Sequence, residues 1–167
     1  LITCLMSATL CAAELRIGSA TVSITPDRPV ALAGQFGTRI SQSVEAPVIA
    51  AAVALESVES GKPVDQALFI SCDLVAIHAS VLAQFREHLK SLLPDFDVRK
   101  VIVSATHTHT APVTSEIMEE TLITYPIPKE GVMQPTEYTA FLVEQLSQAA
   151  VKAWKGHRAG GVSWTLG

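Results

Sequence analysis

The chain has little with which to staple itself and little charge of either sign. Of its three cysteines, Cys4 and Cys11 fall within the first thirteen residues and only Cys72 lies beyond them. A single thiol forms no intrachain disulfide, so packing has to hold the fold together. Aromatics make up 5% and charged residues 17%, against 49% hydrophobic residues. That apolar content excludes a disordered chain and suits one domain, or a large piece of a bigger one, across 167 residues. Net charge is -4 and no Lys/Arg cluster stands out, which argues against nucleic acid as a partner.

Residues 1–13, LITCLMSATLCAA, carry no charge at all. The run is too short to span a bilayer as a helix but has the length of a secretory signal core, with Ala12 and Ala13 as a cleavage site. A basic leading region and an initiating Met are missing, so the expectation is a truncated signal peptide over 1–13, an exported (periplasmic or secreted) protein, and a folded portion over 14–167. Cys72, inside ALFISCDLV, reads as an inert buried thiol.

Beyond the leader, Leu15–Ile24 has strand composition and ends at Thr25-Pro26-Asp27. Residues 31–43 read as an irregular loop around Gly34 and Gly37. Ala46–Leu55 and Ala67–Cys72 are apolar runs about a Gly61/Pro63 turn, which predicts a hairpin. Leu82, Phe85, Leu89 and Leu92 recur at helical spacing until Pro94. Strand character returns over Lys100–Ser104, so strand, helix and strand predict a right-handed crossover between parallel neighbours. Residues 106–135 form a long Pro-rich segment, of a length that is usually either functional or disordered. Thr136 is placed to cap a second helix with Leu142, Leu146, Ala149 and Ala153 on one face, and Val162–Leu166 to open a further strand. The fold class predicted is α/β: a mixed sheet with helices packed on it, forming the incomplete N-terminal portion of a larger catalytic domain.

Against this background VIVSATHTHTAP (Val101–Pro112) places two of only five histidines one residue apart. In an extended segment His107 and His109 project to the same side, at the carboxyl end of a buried strand where open α/β folds put their ligands. Converging imidazoles suit Zn²⁺, and they equally suit polar surface at a strand end. Asp73 ends the neighbouring strand, either to accept a second N–H from a ligating histidine or to shape the turn into the helix. A metallo-β-lactamase pattern would need Asp where Ala111 stands, and a zincin helix needs histidines four apart. An amidohydrolase barrel, which also opens on HxH, stays as an alternative, as does a non-catalytic exported binding protein.

The run SATHTHTAP resembles the THTHSGP signature of the neutral/alkaline, non-lysosomal ceramidases. RIGSATVSITP resembles that family's opening strand, ALAGQF stands where it has a Met-Gly-Tyr-like loop, and FISCD matches its strand ending Ser-x-Asp. The resemblance implies a secreted, zinc-dependent amidase that hydrolyses the amide of N-acylsphingosine (ceramide) or another N-acyl lipid, with transient contact at a membrane surface. His107 then matches a zinc ligand, and His109 the residue that faces substrate and water. Gly34 and Gln35 fall on the substrate-facing loop, and Asp73 is the Asp of the matching Ser-x-Asp strand end. The family's remaining ligands, a His, a Glu and a Tyr, would lie beyond Gly167. Thr110 and Ala111 replace the signature's Ser-Gly, and Gln35 replaces its loop Tyr.

Overall fold

The computed structural model describes residues 13–114, 117–118 and 123–165. The leader reading, Cys4 and Cys11 included, falls on residues 1–12, outside the described ones.

Strand β1 (Glu14–Ser23) opens the fold, and a short pair, β2 (Ala31–Leu32) and β3 (Arg39–Ile40), follows in the stretch expected to be irregular. Strands β4 (Ile49–Glu59) and β5 (Lys62–Cys72) make the expected hairpin. Helix α1 (Ala79–Leu92) leads through a 3₁₀ turn into β6 (Val101–Ala105). After the short pair β7 (Ile117–Met118) and β8 (Ile123–Thr124) come helix α2 (Pro135–Lys155) and β9 (Arg158–Ala159). One sheet runs in the order β6-β5-β4-β1-β9, parallel between β5 and β6 and antiparallel elsewhere. An α/β mixed sheet with helices packed on it is what the sequence predicts. The antiparallel run β5-β4-β1 is unlike the all-parallel sheet of a (β/α)₈ barrel.

Period-two alternation explains which face is covered. Ala50, Ala52, Ala54, Leu68, Ile70 and Cys72 share one buried cluster with Phe85 and Leu89 of α1 and Leu142, Leu146 and Ala149 of α2. The intervening Val53, Phe69 and Ile102 are 39%, 42% and 53% exposed, so the helices lie on one face only. Small residues let α2 sit close to the sheet: a Cβ on Gly18 would lie 1.9 Å from the Ala153 carbonyl oxygen, on backbone that has no room to retreat. Tyr138, fully buried, donates its hydroxyl to the Ile24 carbonyl at 2.9 Å, and burial drives its pKa upward.

Three local expectations are corrected. Strand β5 begins at Lys62 rather than Ala67, because Pro63 sits before the point where β6 pairs, so its missing N–H costs no ladder bond on that side. Helix α2 starts earlier than Thr136: Gln134 is the N-cap, Pro135 follows, and Glu137 closes a reciprocal capping box. Beyond α2 the strand is Arg158–Ala159, and among the described residues none forms over 162–165.

Candidate metal centre

The site grows out of the junction where β5 and β6 end side by side. The Thr106 N–H bonds the Cys72 carbonyl at 2.9 Å, so the chain leaves β6 still tied to β5. Asp73 completes the tie: its carboxylate accepts from the Ile49 N–H at 3.0 Å and from the Thr106 hydroxyl at 3.2 Å. Asp73 therefore joins β4, β5 and the histidine loop, but it holds neither imidazole, which corrects the expectation that it orients a ligand directly.

That duty falls to a backbone carbonyl. His107 Nδ1 lies 2.7 Å from the Val75 carbonyl, which can only accept. The proton is thereby assigned to Nδ1, so Nε2 of His107 carries the lone pair and turns it toward the His109 ring. His109 Nε2 is 3.3 Å from His107 Nε2, with the rings edge to face at 74°. Extended alternation does not bring them together. His107 has a φ of 64°, so the strand has ended and a left-handed residue turns the chain. Such a conformation costs about 1–2 kcal/mol for a side-chain-bearing residue, and the Val75 bond and the Asp73–Thr106 tie hold it. Both histidines are exposed, and His109 Nδ1 has no hydrogen-bond partner among the described residues.

Opposite the rings stands the Gly34–Gly37 loop. Gly34 has a φ of 84°, and a Cβ there would fall 2.5 Å from His109 Cγ, so the imidazole occupies the space any side chain would need. Tyr125, 2% exposed, clamps this loop: its hydroxyl accepts the Gly34 N–H at 3.2 Å and donates to the Gln35 carbonyl at 3.0 Å. Ala31, Ala33, Val75, Val113 and Tyr125 form a small second core beneath the site. Residues 31–33 run against 111–113, with bonds of 2.9 Å from the Ala33 N–H to the Ala111 carbonyl and from the Val113 N–H to the Ala31 carbonyl. The glycine loop and the histidine loop are thus parts of one frame. Arg39 adds a bond from Nη2 to the His109 carbonyl at 2.6 Å.

Gly34, Gln35, Phe36, Val75, His107, His109 and Tyr125 enclose a cavity of about 130 Å³. Four of the expected site residues, Gly34, Gln35, His107 and His109, therefore meet, while Asp73 stands behind them. Sequence reasoning missed Tyr125, Val75 and Arg39. The faint signal for Tyr125 is that one of only two tyrosines sits inside the Pro-rich segment. Among the described residues, no group of three or more His, Cys, Asp or Glu gathers around one point. Cys72 is buried behind the sheet, where desolvation first and Asp73 second push its thiol up to about 12.

No protein-family model matches the sequence, and no curated protein does. Solved structures do. Neutral ceramidase from Pseudomonas aeruginosa superposes with a TM-score of 0.70 at 18% identity, over 89% of this chain and 23% of that one. A ceramidase complexed with C2 gives 0.67 at 20% identity, over 89% of this chain and 22% of its own. This chain spans less than a quarter of either relative, and at such identities the likeness is one of architecture. Its fold is that of a segment of a neutral ceramidase chain.

Proposed function

We propose that this chain supplies part of the active centre of a zinc-dependent hydrolase that cleaves the amide of an N-acyl lipid, with N-acylsphingosine (ceramide) as the favoured substrate. The observation that carries the reading is the pair of Nε2 atoms, 3.3 Å apart, in a cavity open to solvent. A neutral imidazole nitrogen whose lone pair faces a solvent-open cavity is a donor of the kind Zn²⁺ takes, and the second Nε2 stands close enough to serve a water at the same place, so the residues fit. His107 would hold the ion, its lone pair aimed by the Val75 carbonyl. Further ligands would come from outside the described residues. Zn²⁺ at this place would supply Lewis acidity toward the amide carbonyl and water.

The chain's own groups do the rest. His109 keeps Nδ1 free, so its ring is able to change tautomer, which a group that moves protons needs. It takes a proton from the attacking water and returns one to the departing nitrogen. The water oxygen joins the carbonyl carbon, the C–N bond breaks, and a carboxylic acid and an amine leave, the acid then losing its proton to solvent. Gly34 makes room for the His109 ring, and Gln35 borders the substrate space. Phe36, 97% exposed at the cavity, supports transient contact with a lipid surface. Residues 1–13 support export of such an enzyme.

Fatty-acid release from N-acylsphingosine, with and without a zinc chelator, tests the reading. Expected is chelator-sensitive release that disappears in His107→Ala. In His109→Ala metal stays bound while turnover falls about 10²–10⁴-fold. A folded, zinc-loaded protein that releases nothing would discard ceramide as substrate.

A further inference from the structure

Beside the histidine frame runs a groove of about 480 Å³, well within the size range of small-ligand sites. Val30, Leu32, Ile40, Val44, Val48 and Pro112 give it an apolar lining. Val30 is 3% exposed, whereas Val44 stands 59% exposed at the edge. Thr110, next to His109, lines the groove too, so one end of it abuts the candidate metal centre.

The charges around it are unequal. Arg28 is matched by Asp27 at 3.6 Å and Glu137 at 3.4 Å. Arg39, by contrast, is exposed and makes its one hydrogen bond, among the described residues, to the neutral His109 carbonyl. No carboxylate lies within ion-pair distance of it among those residues, and Glu45, which also lines the groove, pairs with neither arginine. An unmatched guanidinium on an apolar trough is complementary to a long hydrocarbon chain ending in a planar anion.

We propose that the groove binds a long-chain fatty carboxylate, its head on Arg39 and its chain along Val30, Ile40 and Val44. The binding stands apart from any hydrolysis. Its place in a reaction, as the seat of the acyl product after the amide breaks, rests on the amidase reading above.

Equilibrium dialysis of dodecanoate below its micelle concentration tests this, in chelator so that the histidine pair plays no part. Expected is saturable binding of one dodecanoate per chain. Acetate should bind at least about 100-fold more weakly for want of the chain, and dodecanol about tenfold more weakly for want of the charge. Arg39→Gln should abolish the preference for dodecanoate over dodecanol, and Arg39→Lys should keep part of it. Because Arg39 also holds the His109 loop, this ratio is the telling quantity: a purely structural role would weaken both ligands alike. Val44→Asp, at an exposed position that leaves the thermal melt in place, should weaken dodecanoate and dodecanol together. No saturable binding by folded protein, or an unchanged preference in Arg39→Gln, would overturn the proposal. Tighter binding of dodecyl phosphate than of dodecanoate would overturn the carboxylate and point to a phospholipid head group instead. Absent dodecanoate binding with fatty-acid release intact would remove the groove alone, and binding with no release would remove the amidase reading alone.

Discussion

Replacing Gly34 with Ala probes the contact between the glycine loop and His109 most sharply. Two costs add. Its φ of 84° puts a side-chain-bearing residue in the left-handed region, which costs about 1–2 kcal/mol. The new methyl would also stand 2.5 Å from His109 Cγ and 2.9 Å from its Cβ, near the root of the ring. The ring must leave its rotamer or the backbone must shift, adding about 0.5–1.5 kcal/mol. A total of about 1.5–3.5 kcal/mol lowers the melting temperature by roughly 3–14 °C in a chain of this size. Gly61→Ala isolates the first cost, because Gly61 has a φ of 77° with open space where the Cβ would go. Gly37→Ala serves as the blank, meeting nothing within 4 Å and having no left-handed backbone. Thermal melts of the three should rank Gly34→Ala lowest, Gly61→Ala next and Gly37→Ala at or slightly above the parent. Only Gly34→Ala should also displace the His109 ring signals in an NMR spectrum. If Gly34→Ala melts with Gly61→Ala and leaves the His109 signals in place, the reasoning about the ring is refuted.

Other outcomes follow from single contacts. Tyr125→Phe removes both hydroxyl bonds to the glycine loop, so stability should fall by about 1–3 kcal/mol and the His109 ring signals should broaden; an unchanged melt would contradict the clamp. With its thiol pushed up to about 12, Cys72 should resist a disulfide reagent in the folded protein and react fully in denaturant; rapid native labelling would deny the burial. Asp97 is held at about 2, first by the Arg99 side chain and then by the Arg99 N–H, below its ordinary value of 3.8. A depressed carboxylate stabilises above its unfolded pKa and loses that contribution as pH falls through the folded one. Asp97→Asn should therefore melt below the parent near neutral pH and together with it near pH 2; a gap constant across that window would rule the linkage out.

Where hydrophobic periodicity was strong, the architecture could be read from residues alone. The alternation that buries Ala50, Ala52 and Ala54 and the helical stripe of Phe85 and Leu89 depend on local pattern, so α1 and the β4–β5 hairpin are legible, although β5 starts earlier than its apolar run. Gln134 was overlooked as a cap because Thr136 is the commoner capping type, although Pro135 and Glu137 carried the alternative signal. His157, just past the end of α2, packs on Trp154 with ring centroids 4.9 Å apart and bonds Glu56 at 3.0 Å, a contact made by chain folding across about a hundred residues that no local pattern announces. The histidine pair was found by spacing, yet the reason it converges was not. A positive φ at His107 and the Val75 carbonyl are tertiary facts that no residue pattern announces.

The most direct test of the central claim is a long-range ¹H–¹⁵N correlation of the histidine rings, recorded at neutral pH and titrated with Zn²⁺. The account predicts His107 protonated on Nδ1 before metal is added, because the Val75 carbonyl accepts that proton at 2.7 Å. On addition of Zn²⁺ the Nε2 resonance of His107 should shift while Nδ1 keeps its proton. A His107 ring protonated on Nε2, or rings of both histidines unmoved by saturating Zn²⁺, would contradict it.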